Sequence, residues 1–236
     1  MALSWVTSND INYKLDEIND FLGKKYGARV ENLSGKIAET RNKALEIIDS
    51  DIVVFVDTDQ VAPESWLETI TAPIRSGICD FTGGPTKHYP PKSSPETYMD
   101  ELEDYMYANL VSRDVRFLPM GNSAWNVKIF KKIGGFNSSL LHSEDYDINF
   151  KAVEAGFRGC FIEDAWVYHD HSDISSYDIL IRKRYRYLKS TVKVYRMHKF
   201  QRLKLPKLSG KHIKHPFVII EMMMKFMVLI DSLIRP

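Results

Sequence analysis

The chain has 236 residues, 44% of them hydrophobic and 27% charged, with a formal net charge of +1. That length accommodates one sizeable domain, or a domain with an appendage, and the apolar share excludes an intrinsically disordered chain. The charge is unevenly spread: thirteen Lys and Arg and no acid lie between Arg182 and Lys214, a block that suits an anionic membrane or phosphate-rich surface, or a solvated helix face. Two cysteines, Cys79 and Cys160, stand far apart in no metal-like spacing. They predict a reducing, cytoplasmic setting without a disulfide framework. Residues 1–20 lack the basic start and apolar centre of a secretory leader.

In chain order, ALSWVTS (2–8) reads as a short strand. INYKLDEINDFL then places Ile11, Leu15, Ile18 and Leu22 on one helical face behind a candidate cap, Asp10. RVENL is a weak strand, and KIAETRNKALEII a helix with Ile37, Ala44, Leu45 and Ile48 inward. DIVVFV (51–56) is apolar without alternation, as in a strand covered on both faces. A helix from Pro63 and the strand CDFTGG follow. PTKHYPPKSSPE (85–96) holds four prolines and reads as a loop, and TYMDELEDYMYANLV as a helix. SEDYDINFKAVEAG is a helix opened by Ser143 and closed near Gly156. FRGCFIEDAWVYHDH reads as a strand, after which the chain turns helical and basic. This alternation predicts an α/β fold with a mostly parallel sheet, residues 1–173 forming the main domain and 174–236 a helical appendage.

Three clusters carry chemistry. Asp57 and Asp59 follow the apolar strand directly, where open α/β sheets bind ligands, and two carboxylates at i and i+2 suit a hard divalent cation. A strand-end turn also favours Asp. Glu144 and Asp145 open a helix; either could act as a general base, or simply answer the helix dipole. His169 ends a strand and could join the same metal or be structural. Gly121 and Asn122 offer close backbone approach to a ligand.

Taken together, AETRNKALEIIDSDIVVFVDTDQVAPESWLE and MGNSAWNVKIFKKIGGFNSSLLHSEDYDINFKAVEAGFRGCFIEDAWVYHDH resemble a family 2 glycosyltransferase of the GT-A fold over about residues 1–190. The resemblance implies that Asp57, Asp59 and His169 hold Mn²⁺ or Mg²⁺ against a nucleotide-diphosphate sugar, Asp59 more directly. It implies that Asp145 deprotonates the acceptor hydroxyl, with Glu144 holding the acceptor. Arg41 matches a family arginine near the nucleotide, Thr7 and Asp10 fall where the family contacts the base, and Gly121, Asn122 and Trp125 lie on the acceptor side. The reaction implied is displacement at the anomeric carbon with inversion, onto a glycan or lipid-linked acceptor. The chain departs from the family at its start: ALSWVTS resembles the family's second strand, and Thr7-Ser8-Asn9-Asp10 replaces its Asp-Asp pair.

PFVIIEMMMKFMVLIDSLIR (216–235) is apolar apart from Glu221, Lys225, Asp231, Ser232 and Arg235, which share a sector of about 120°. A spanning helix would bury Glu221 and Lys225 at high cost, whereas an in-plane interfacial helix leaves them in water. This predicts a protein peripheral to an anionic membrane; packing on the main domain and a homo-oligomer contact are the alternatives. No nucleic-acid partner is expected. A nucleotidyltransferase also uses paired carboxylates but opens with a Gly-rich phosphate loop, which is missing here. A degenerate, non-catalytic binding or scaffold protein is the remaining alternative.

Overall fold

In the computed structural model the described residues are 33–110, 117–198 and 214–234, with Lys24 and Glu31. The strand expected at 2–8, the helix after Asp10 and most of RVENL lie outside them, as do Thr7 and Asp10.

Helix α1 (Ile37–Ile47) starts where the Glu39 carboxylate accepts a hydrogen bond from Lys36 N at 3.3 Å, and it buries Ala38 and Ala44. Strand β1 (Ile52–Val56) follows, then β2 (Gln60–Val61) and α2 (Trp66–Arg75), which buries Trp66, Ile70 and Ile74 at helical spacing. Next come β3 (Phe81–Gly83), β4 (Thr86–His88), α3 (Ser94–Leu110), β5 (Asn122–Asn126), α4 (Val127–Ile133), α5 (Glu144–Glu154), β6 (Gly159–Phe161), β7 (Val167–His169), α6 (Tyr177–Met197) and α7 (Phe217–Ile234).

The larger sheet has the order β1-β5-β3-β6. Strand β5 is antiparallel to both β1 and β3, and β3 is parallel to β6, so β1, β3 and β6 share one direction. The smaller sheet, β2-β7-β4, has β7 in the middle, antiparallel to β2 and parallel to β4. The expected α/β architecture is present, but among the described residues the sheets are mixed rather than mostly parallel. Three of the five strand pairings are antiparallel, because β5 runs against both its neighbours and β2 against β7, a reversal the apolar pattern could not reveal.

Phe81 and Trp125 stack at 4.3 Å at the centre of the main core, where Ile129, Phe130, Phe136 and Ile148 surround them. Full burial of side chains this size contributes about 1.5–3 kcal/mol each. A second core joins Tyr98, Met99 and Leu102 of α3 to Leu180 of α6 and to Phe217 and Met224 of α7.

Four further expectations are corrected. The proline-rich stretch is not all loop, since Thr86–His88 pairs with β7 and α3 already begins at Ser94, ahead of Pro95. Proline is tolerated in the first turn of a helix, where its missing N–H has no partner to lose. Residues 157–171 do not form one strand: β6 and β7 lie in different sheets, separated by residues 162–166. Cys79 and Cys160 are joined in a disulfide with their Cα atoms 6.0 Å apart; the pairing of β3, which Cys79 closely precedes, with β6, which holds Cys160, brings the two segments together. Eighty-one residues of separation hid this contact, and the pair no longer supports a reducing compartment.

The fourth correction concerns α7. Its polar sector does not face water. Glu221 is fully buried, receiving hydrogen bonds from Arg184 at 2.6 and 3.0 Å with Lys225 at 3.5 Å. A charge with this little solvent persists only when paired. With the polar side committed inward, Ile219, Met222, Met223, Phe226 and Met227 are each more than half exposed on the outer side. Among the described residues no helix is long and apolar enough to cross a membrane.

Candidate active site

The carboxyl end of β1 opens into a cleft of about 1210 Å³. Arg41, Asp57, Asp59, Gly121, Glu144, Asp145 and His169 all line it. They arrive from five separate parts of the chain, α1, the end of β1, the segment before β5, the start of α5 and the end of β7, and three local devices hold them. Asp57 N donates to Gly121 O at 3.2 Å, and a Cβ at position 121 would displace the Asp57 carboxylate from where it stands, so glycine here leaves that carboxylate its place. Asn149 clamps the segment before β5 to α5, its amide donating to Leu118 O at 2.9 Å while its oxygen accepts from Leu118 N at 3.0 Å. Ser143 adopts φ +60°, a left-handed conformation that non-glycine residues rarely take, immediately before Glu144 and Asp145. Its hydroxyl does not cap α5 but lies 2.9 Å from Thr191 Oγ1 on α6.

At one end of the cleft, Asp57 and Asp59 are each about half exposed, at 49% and 48%. His169 Nε2 lies 3.5 Å from Asp59 Oδ2, and its Nδ1 lies 3.2 Å from Glu103. The imidazole is thus oriented by Glu103 with Nε2 turned toward Asp59, an arrangement typical of histidines that bind metal. Burial disfavours the imidazolium, but the hydrogen bonds to Asp59 and Glu103 prevail and push the His169 pKa up to about 10. Asp59 moves the opposite way: burial would raise it, and His169 outweighs that and lowers it. Burial would raise the Glu103 pKa, but the neighbouring His169 and His171 outweigh it and hold the carboxylate well below its ordinary range. The oxygen and imidazole donors of Asp59 and His169 fit Mn²⁺ or Mg²⁺. Asp57 is not part of that compact pair. It faces Arg41 at 3.9 Å, and burial of its surroundings raises its pKa despite the opposing guanidinium.

At the other end the acids are enclosed. Glu144 Oε1 accepts from Arg41 Nη1 at 2.7 Å, and the Arg41 guanidinium also lies over Phe55 and Phe136. Asp145 accepts from Tyr146 N at 2.9 Å and faces the Tyr187 hydroxyl at 3.4 Å. Burial first, and the Glu144 charge second, push its pKa up to about 7. A carboxylate poised there can accept a proton near neutrality. Arg41 therefore spans the two ends rather than only marking one.

Two expected acceptor residues are corrected. Trp125 is fully buried in the stack with Phe81, and its Nε1 donates to Ser123 Oγ at 2.9 Å. Asn122 is equally buried and has its whole amide engaged: Oδ1 accepts from Trp66 Nε1, while Nδ2 donates to Pro85 O and Ala165 O. Strand β5 is covered on both faces, so Asn122 and Trp125 are buried on opposite sides of it, leaving Gly121 alone of the three at the cleft. Glu103, Tyr187 and His171 were not assigned from the sequence. Asp100, Glu103 and Asp104 share one helical face by their spacing, a signal that was legible.

A family profile described as glycosyltransferase like family 2 matches residues 17–190. The chain belongs to the family 2 glycosyltransferases. The pre-mycofactocin glycosyltransferase of Mycobacterium tuberculosis is 26% identical over 144 residues, covering 57% of this family member and 30% of that relative. The chain thus spans just under a third of the length of that relative. Among solved structures, the mannosyltransferase PcManGT from Pyrobaculum calidifontis, in complex with GDP-Man and Mn²⁺, aligns over 99% of this chain and 66% of its own. Its TM-score is 0.61 at 13% identity. GalNAc-T7 with UDP, GalNAc and Mn²⁺ aligns over 81% of this chain and 41% of its own, with a TM-score of 0.55 at 13% identity. S. aureus TarS (1-349) aligns over 87% and 66%, with a TM-score of 0.51 at 19% identity. These likenesses establish the GT-A fold.

Proposed function

We propose that this protein is an inverting, metal-dependent glycosyltransferase that moves a sugar from a nucleotide-diphosphate donor to a hydroxyl acceptor. One observation carries the reading: the Asp59–His169 pair and the buried Asp145 line a single cleft. GDP-Man with Mn²⁺ in one of the structures named above, and UDP, GalNAc and Mn²⁺ in another, support it by analogy. Asp59 and His169 hold the cation, with Asp57 beside them. The cation, when bound, neutralises charge on the departing diphosphate. Asp145 takes the proton of the acceptor hydroxyl, whose oxygen attacks the anomeric carbon from the face opposite the diphosphate, which inverts the configuration. Arg41 fixes Glu144 beside Asp145, and Glu144 positions the acceptor.

Titration with nucleoside diphosphates, with and without Mn²⁺, tests this directly. Binding that depends on the metal and fails in Asp59→Asn is the expected result. Indifference to metal and nucleotide would sink the transferase and favour a non-catalytic scaffold.

The acceptor side supports a lipid-linked substrate. Tyr187, Leu188, Val192 and Tyr195 of α6 and Val228 and Leu229 of α7 wall the cleft there. The outer side of α7 is apolar, and Arg182, Lys183, Arg186, Lys189 and Lys193 of α6 are exposed. Apolar and basic surface on neighbouring helices suits peripheral attachment to an anionic bilayer. Full-length protein is expected to co-sediment with anionic vesicles, and Phe226→Glu combined with Met223→Glu to remain in the supernatant. Co-sedimentation unchanged by that pair of substitutions would refute the attachment.

A further inference from the structure

Beside the donor end of the cleft, where β4 neighbours β7, lies a cluster to which the transfer reaction assigns no role, although one member, His171, also lines the cleft. His88 ends β4, Asp100 lies on α3, and His171 follows β7. One ligand atom from each of the three lies within 4.8 Å of the others. His88 Nε2 is 3.1 Å from Asp104 Oδ1, which orients the ring and leaves Nδ1 facing Asp100 Oδ1 at 3.3 Å. Despite that distance, His88 Nδ1 has no hydrogen bond of acceptable angle and is buried. His171, only 5% exposed, is in the same condition: its Nε2 lies 3.3 Å from Glu103 Oε1 without a hydrogen bond. Two buried imidazole nitrogens that each face a carboxylate at 3.3 Å without forming a hydrogen bond are costly, and a shared cation would relieve that cost.

We propose that His88, Asp100 and His171 form a second divalent-cation site, of the Zn²⁺ type, with its own three ligands, next to the cation pair at Asp59 and His169: the His171 and His169 rings lie 4.1 Å apart. Two imidazoles and one carboxylate are a zinc-type donor set, with a fourth position left for water. Tetrahedral coordination at normal zinc bond lengths separates neighbouring ligand atoms by about 3.3 Å, the separation found between His88 and Asp100. The Asp104–His88 contact supplies the carboxylate behind a ligand histidine that such sites typically carry. Access is provided by a second, smaller pocket of about 540 Å³, lined by Tyr89, Pro91, Glu96, Asp100, His171 and also His169. A cation here clamps β4, α3 and the end of β7 together. Those elements present Glu103 to His169, so zinc stiffens the donor end of the cleft without touching substrate.

The test is Zn²⁺ titration of the full chain against a chromophoric chelator. The wild type is expected to bind one tight equivalent, retained in Asp59→Asn and weakened by at least about 100-fold in His88→Ala and Asp100→Asn. Asp104→Asn, which leaves all three ligands in place, should weaken it by about 10–100-fold. Absence of tight zinc from the wild type, its loss in Asp59→Asn, or full retention in Asp100→Asn overturns the proposal. Should the ligand variants fail to fold, Co²⁺ added to the wild type gives an independent answer. Intense visible bands indicate the tetrahedral site, and a pale octahedral spectrum overturns it.

Discussion

The two ends of the cleft use the same chemical group for opposite purposes. Asp59 is half exposed and paired with His169, so its pKa falls and it stays charged. Asp145 is enclosed and lies beside Glu144, so its pKa rises to about 7 although the Tyr187 hydroxyl opposes the shift. A permanently ionised carboxylate suits a cation ligand, and a carboxylate that titrates near neutrality suits proton transfer. The environment, rather than residue type, assigns the roles.

The sharpest way to break this contrast is Asp145→Asn. With the base removed and its shape kept, turnover should fall by about 10²–10⁴-fold, while metal-dependent nucleotide binding stays intact. Parallel loss of both activities in rapid-quench and equilibrium-binding measurements would mean that the ends are not separable. Next in size is Glu103→Gln. Loss of the carboxylate that orients His169 should weaken Mn²⁺ by about 10–100-fold, read by isothermal titration. Unchanged Mn²⁺ affinity would leave Glu103 as packing only.

Smaller effects sharpen the contrast through pH. Activity should drop on an acid limb centred near pH 7 as Asp145 becomes protonated. Removing the neighbouring like charge in Glu144→Gln should move that limb to lower pH. A limb that stays in place would detach it from Asp145. Stability follows the same group. Its folded pKa of about 7 exceeds the ordinary 3.8, so its contribution is fully present below pH 3.8 and is lost as pH rises through 7. Asp145→Asn should therefore be more stable than the wild type at pH 8, by an amount on the order of 1–3 kcal/mol, and not at pH 3. Chemical denaturation at the two pH values measures this.

Much of the architecture was legible locally. The apolar run of β1, the helical spacing of α1 and α5, and the acids placed directly after β1 and at the start of α5 all follow from nearest-neighbour patterns. The order of Asp57, Asp59, Glu144, Asp145 and His169 along the chain was enough to suggest one site. Proline content misled at β4, because that strand is only three residues long and its pairing comes from β7, far along the chain.

The sequence by itself settled which segments are amphipathic and where carboxylates leave the sheet, since both depend on residues a few positions apart. Only the tertiary structure decided which face meets what. It turned Trp125 and Asn122 inward, joined Cys79 to Cys160, buried Glu221 against Arg184, and set His88 beside Asp100 and His171. Periodicity defines two sides of an element but not its neighbours, and those neighbours set burial, pairing and pKa.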